Sequence, residues 1–228
     1  MTDYIFSPPE RVSLAIAGSE ARFPVRRILC VGQNYAAHAR EMGADPTRRP
    51  PFFFSKPTDA LVPGGGEVPY PGMTRDLHHE VELVVAIGHG GAQLDPLSAA
   101  RLIAGWAVGV DLTRRDLQSE AKAAGRPWDA AKGFDFSAPI GALTLEDAPS
   151  HPSGNISLTV NGEVRQSSRL SDMIWNPAEV VAQASTLWRL APGDLIFTGT
   201  PEGVGPLARG DHVRASIDGL VPLEFTIV

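Results

Sequence analysis

With 228 residues, 43% of them hydrophobic, the chain can bury one large core, or one domain carrying a short extension, and its apolar runs stop short of a membrane span. A net charge of −6, with Lys and Arg never clustered beyond a pair, excludes the basic face of a nucleic-acid binder. The single cysteine, Cys30, excludes an internal disulfide, and the N-terminus lacks a basic and then apolar leader, so a reducing cytoplasm is expected.

Taken in chain order, strands are predicted at Arg27–Val31, Phe52–Ser55, Glu80–Ile87, Trp106–Val110, Ile156–Val160, Asp194–Thr198, His212–Ile217 and Pro222–Val228. Asn161-Gly162, between Ile156–Val160 and Glu163–Gln166, is a two-residue hairpin signal. Four helices are predicted. Asn34 is a cap for Tyr35–Met42, with Gly43 as its stop. Asp95-Pro96 opens Leu97–Ala104, and a third helix spans Thr113 to Ala124. Asn176-Pro177-Ala178-Glu179 combines an N-cap, Pro at the first position and an acid three residues on, and starts a helix to Arg189. Helices fall irregularly among the strands, so the expected class is β-rich α+β and not a doubly wound sheet.

Glu80 and Glu82 are two residues apart at the head of the apolar run Leu83–Ile87, so both project from one face of a strand. Asp111 closes a second apolar run. If the two strands lie side by side, three carboxylates converge, and hard oxygen donors without a cysteine suit Mg²⁺, Mn²⁺ or Ca²⁺ better than Zn²⁺. On spacing alone they read first as solvated strand ends.

His38 and Glu41 are three apart on a predicted helix, within contact range, as a water-activating pair would be or as an ordinary polar face would be. Lys132 lies among small residues, available to an anionic intermediate or simply solvated. The stretch Phe197–Gly205 can offer N–H groups and hydroxyls to a carboxylate, or serve as a turn-rich connector, and it lacks the Lys-Ser/Thr pair of a phosphate loop. His78 and His79 face opposite ways beside Glu80 and are read as supporting or structural. Trp106, Trp175 and Trp188 are expected in the core and Trp128 on a pocket wall.

Six blocks in one order resemble the fumarylacetoacetate hydrolase superfamily over nearly the whole chain from about Val25: Gly32-Gln33-Asn34-Tyr35-Ala36-Ala37-His38, Ser55-Lys56-Pro57, His78-His79-Glu80-Val81-Glu82-Leu83, Gly109–Gln118, Trp128-Asp129-Ala130-Ala131-Lys132 and Thr198–Gly205. Within the superfamily the chain looks most similar to short acylpyruvate hydrolases, the bacterial fumarylpyruvate hydrolases among them. The resemblance implies a short extension over residues 1–24 and a catalytic domain over 25–228 with a mixed β-roll and a few short helices. It also implies a homodimer and Mg²⁺ or Mn²⁺ as the cofactor. Matched residue by residue, the metal ligands fall on Glu80, Glu82 and Asp111, and the water-activating pair on His38 and Glu41, carried by a short lid helix. The Lys that supports a developing enolate falls on Lys132. Substrate contacts fall on Arg115, Gln118 and Thr200. Gln33 departs from the pattern, standing where close relatives often carry Arg.

The implied activity is hydrolysis of a carbon–carbon bond in a 2,4-diketo acid, fumarylpyruvate to fumarate and pyruvate, in aromatic-ring degradation. A general acylpyruvase or oxaloacetate decarboxylase, and a 2-hydroxy-dienoate isomerase, remain alternatives. A metal-stabilised binding protein is a further one, although it has no use for the His38–Glu41 pair. Arg115, Arg114 or Arg126 are the cations expected to meet a carboxylate at the far end of the substrate.

Overall fold

The structure, a computed structural model, describes residues 4–43, 49–145 and 152–228. Its centre is a mixed eight-stranded sheet. The strand order runs 52–56, 27–32, 194–197, 81–87, 103–110, 138–140 and 61–63, with Thr144–Leu145 also paired to 103–110. Parallel pairs (27–32 with 194–197, 61–63 with 138–140) sit among antiparallel ones, so the sheet is mixed. A five-stranded sheet of 163–169, 155–160, 212–217, 223–227 and 66–68 packs against it. A three-stranded patch joins Thr113–Arg114, Leu77–His79 and Gly205–Leu207. The whole is a mixed β-roll with few helices, of the class expected from the scattered helix signals.

Strand Val81–Ile87 shows why the sequence reads as a continuous apolar run. Val81, Leu83, Val85 and Ile87 face one core cluster while Val84 and Ala86 face another, so every position is buried. Each Val, Leu or Ile so placed contributes roughly 1.5–3 kcal/mol of transfer free energy. A strand covered on both faces loses the alternation that marks a half-solvated one.

The hairpin forms as predicted: Asn161 and Gly162 have φ of 52° and 83°, the left-handed pair that a tight two-residue turn requires. The helix Pro177–Leu187 has its full capping box, with Asn176 and Glu179 exchanging backbone N–H contacts. Its apolar face packs into the larger core cluster. Other boundaries shift. The second helix stops at Ala100, because Ile103–Gly105 are taken up by the strand Ile103–Val110. Thr113 and Arg114 pair with Leu77–His79, so the third helix is Arg115–Ala123. Glu80 falls in a one-residue break before Val81, although its carbonyl still accepts the Asp111 N–H at 2.8 Å.

Asn34 does not cap the helix Ala36–Glu41; Tyr35 holds that position without a side-chain bond. The Asn34 amide instead bonds Trp175 N–H, Trp175 O and Thr198 O, which fastens the base of the helix to two other segments. Trp106 is buried, whereas Trp175 and Trp188 are only partly buried against the core. In the N-terminal region, residues 1–3 lie outside the described residues. Ser13–Ile16 and Ser19–Pro24 form a hairpin whose Leu14 and Phe23 are buried in the smaller core cluster. No helix among the described residues is long and apolar enough to cross a membrane.

Candidate active site

The antiparallel pairing of Val81–Ile87 with Ile103–Val110 sets Val81 opposite Val110, which brings Glu80, Glu82 and Asp111 to one end of the sheet. One carboxylate oxygen from each lies within 4.8 Å of the others, and all three residues are buried. The three acids differ in their company. Glu80 takes Lys132 Nζ at 2.8 Å, the Thr113 hydroxyl at 3.2 Å and a close contact from the Arg115 guanidinium. Asp111 takes Lys132 Nζ at 2.7 Å on one oxygen and faces Lys56 Nζ at 2.8 Å with the other. Glu82 has no ion pair of its own among the described residues; its carboxylate accepts the Gly199 N–H at 2.6 Å.

The electrostatics follow from that inequality. Burial pushes the Glu80 carboxyl up, but Lys132, Arg115 and His38 outweigh burial and hold it well below the usual carboxylate range. Burial, with Asp111 and Glu80 adding repulsion, pushes the Glu82 carboxyl well up. Lys132 loses by burial and gains more from Asp111 and Glu80, so it stays firmly protonated. A buried carboxylate repelled by two others demands a proton or a cation. One oxygen of Asp111 also lacks a directional hydrogen bond. All-oxygen donors in this state fit a divalent Mg²⁺ or Mn²⁺.

The helix Ala36–Glu41 covers this end of the sheet. His38 is buried, with Nδ1 3.1 Å from Glu41 Oε2. Glu41 in turn accepts the Gly203 N–H at 3.1 Å. Gly203 has φ of +88°, and a Cβ there would stand 2.2 Å from Arg165 O, so only glycine lets this N–H reach the carboxylate. The Gly199 and Gly203 N–H groups, expected to meet a carboxylate, are thus both taken by the protein's own acids.

His38, Glu80, Glu82, Lys132, Arg115, Gln118 and Thr200 line one cavity, and Asp111 lies behind Lys132. Glu41 reaches it through His38. The nine residues matched to metal, catalytic or substrate-contact positions therefore gather at one place. Trp128 lines the wall as expected, edge-on to Phe52 at 5.3 Å. Phe52, Phe54 and Trp128 also border an adjoining hollow of about 370 Å³. His78 and His79 support the site: His78 Nδ1 accepts from Arg115 Nε at 3.3 Å, and His79 Nδ1 bonds Gln166.

Three residues were not given roles from sequence. Lys56 is buried beneath Asp111 and Lys132, and its signal was a lysine closing an aromatic strand. Gln166 is the buried position of strand Glu163–Arg169, a polar residue on the inward parity. Lys122 follows Arg115 and Gln118 by helical spacing, lines the same cavity, and donates to Met42 O at 3.2 Å. Arg114 is turned away onto the Phe134 ring, 4.4 Å from its centroid, and donates to Ala130 O.

Residues 27–228 match the family described as Fumarylacetoacetate (FAA) hydrolase C-terminal. A fumarylpyruvate hydrolase of Ralstonia sp is 42% identical over 176 residues, 77% of this chain and 92% of the relative. The mitochondrial oxaloacetate tautomerase FAHD1 of Mus musculus is 41% identical over 203 residues, 89% of this chain and 91% of the relative. The crystal structure of fumarylpyruvate hydrolase from Pseudomonas aeruginosa in complex with Mn²⁺ and pyruvate superposes with a TM-score of 0.96 at 51% identity, covering 99% of each chain.

Proposed function

The chain belongs to the fumarylacetoacetate hydrolase family of enzymes, and we propose that within it the chain hydrolyses fumarylpyruvate to fumarate and pyruvate with Mg²⁺ or Mn²⁺. The observation that carries the reading is the His38–Glu41 pair poised over the three carboxylates in one cavity. Hydrolysis needs a base for water at this place; binding alone does not.

Glu80, Glu82 and Asp111 would hold the metal, whose Lewis acidity would act on the oxygens of the pyruvoyl end. With Nδ1–H donating its hydrogen bond to Glu41 Oε2, the lone pair of His38 is on Nε2, open to the cavity. His38 Nε2 takes a proton from water as the oxygen attacks the 4-carbonyl. The bond between C3 and C4 then breaks, and pyruvate departs as its enolate. Lys132, protonated and already among the carboxylates, faces the negative charge that develops. Protonation of the enolate carbon releases pyruvate. Arg115, Gln118 and Thr200 hold the substrate.

The far carboxylate of a fumaryl group needs its own cation. Arg115 and Lys132 are already bonded to Glu80, Arg114 is turned away, and Arg126 is exposed and does not line the cavity. Lys122 lines the cavity without a carboxylate partner among the described residues, so it takes this role. A homodimer, implied by the family resemblance, completes the proposal.

A second reading, keto–enol interconversion of oxaloacetate, is supported by the mouse tautomerase relative. It uses the same pyruvoyl end and proton transfer but no attacking water. The deciding measurement is kcat/KM for fumarylpyruvate, acetylpyruvate and oxaloacetate on one preparation, with Mn²⁺ and after EDTA. Fumarylpyruvate is expected to lead, with turnover lost on chelation. Acetylpyruvate equal or faster makes the enzyme a general acylpyruvase; oxaloacetate leading favours the second reading.

A further inference from the structure

Gln166 is fully buried, and both ends of its amide are in use. Oε1 accepts the Val81 N–H at 3.1 Å and faces His79 Nδ1 at 3.0 Å. Nε2 donates to Pro201 O at 2.9 Å and to Thr200 Oγ1 at 2.8 Å. A backbone N–H at one end and a backbone carbonyl at the other fix which end is which, since the flipped amide would oppose donor to donor and acceptor to acceptor. Thr200 Oγ1 is therefore an acceptor from Gln166. No group among the described residues takes the proton of its hydroxyl. Thr200 is 2% exposed and lines the cavity beside Glu82 and His38.

We propose that Gln166 is a positioning residue that fixes Thr200 as a hydrogen-bond donor into the cavity. The same side chain bonds Val81, between Glu80 and Glu82, so the donor is held in register with the metal-ligand pair. A keto or carboxylate oxygen of the substrate is then matched at this point, whereas a group that can only donate finds just the one remaining lone pair of the hydroxyl. The inference rests on the reading above that Thr200 meets the substrate.

The test is a double-mutant cycle of Q166M and T200V on the Mn²⁺-loaded enzyme. It is read with whichever of fumarylpyruvate, acetylpyruvate and oxaloacetate the wild type turns over fastest, so a wrong acyl assignment leaves it intact. Q166M is expected to lower kcat/KM by about tenfold when Thr200 is present, and to have little further effect beside T200V. Mn²⁺ affinity, measured by calorimetry, is expected to stay near wild type in all four proteins. An equal loss from Q166M in both backgrounds means that Gln166 only holds the fold together, and overturns the proposal. If Q166M does not fold, Q166E at alkaline pH replaces it. Its carboxylate keeps the acceptor end and turns the Thr200 proton inward, so it should match T200V. A Q166E enzyme with wild-type kcat/KM overturns the proposal equally.

Discussion

Substituting Glu82 by Gln should stabilise the stripped protein while removing its response to metal. Glu82 is 1% exposed, makes no ion pair among the described residues, and is repelled by Asp111 and Glu80 more than Lys132 offsets. Glutamine has the same shape, can still accept the Gly199 N–H, and can donate to the neighbouring carboxylates. Relief of an uncompensated buried acid is worth on the order of 1 kcal/mol. In a domain of this size, that raises Tm by roughly 2–4 °C. The metal acts in the opposite direction. At a concentration about 100 times Kd, a ligand specific for the folded state adds about 2.7 kcal/mol, roughly 5–11 °C by the same conversion. Calorimetric melts of EDTA-treated and Mn²⁺-saturated protein measure both quantities. Wild type should show a large metal shift from a lower start, and E82Q almost none from a higher one. A stripped E82Q that melts several degrees below stripped wild type, or one that keeps the full Mn²⁺ shift, refutes the account of Glu82 as the ligand that lacks a counter-charge.

Glu41→Ala should cut hydrolysis by roughly 10²–10⁴ while leaving Mn²⁺ affinity near wild type, and should slow any oxaloacetate reaction less. Equal losses in both reactions argue against water activation. The helix Ala36–Glu41 has six residues, and its far end is held by the Glu41–Gly203 bond and by Lys122 on Met42 O. Its amides should therefore exchange quickly in the ligand-free enzyme and slowly with Mn²⁺ and oxalate; exchange that oxalate leaves unchanged counts against a lid. Lys122→Met should lower kcat/KM for fumarylpyruvate by about tenfold or more and leave acetylpyruvate unaffected, as the loss of one charge-assisted contact requires. A matching fall for acetylpyruvate would place Lys122 in holding the helix instead.

The sequence by itself determined the local pieces. Glu80 and Glu82 share a face because strand side chains repeat every two residues, and His38 and Glu41 meet because helical ones repeat every three to four. The Asn161-Gly162 turn and the Asn176–Glu179 box were legible because each is a bargain struck within four residues. Asn34 shows the limit of that reading. Its residue type suits a helix cap, yet tertiary partners at Trp175 and Thr198 outbid the local one. What only the tertiary structure decided is the company each acid keeps. Lys56, Lys132 and Arg115 arrive from three separate elements and pair with Asp111 and Glu80, which leaves Glu82 without an ion pair among the described residues. Gln166 crosses from the five-stranded sheet to reach both Val81 and Thr200. Helix and strand periods carry information over a few residues, whereas counter-charges and amide bridges depend on segments brought together by burial of the two core clusters. The same limit applies to Arg114, Arg115, Arg126 and Lys122, which sequence alone does not rank as partners for a distal carboxylate. Their charges are alike in sequence, and only packing on Phe134 turns Arg114 away from the cavity.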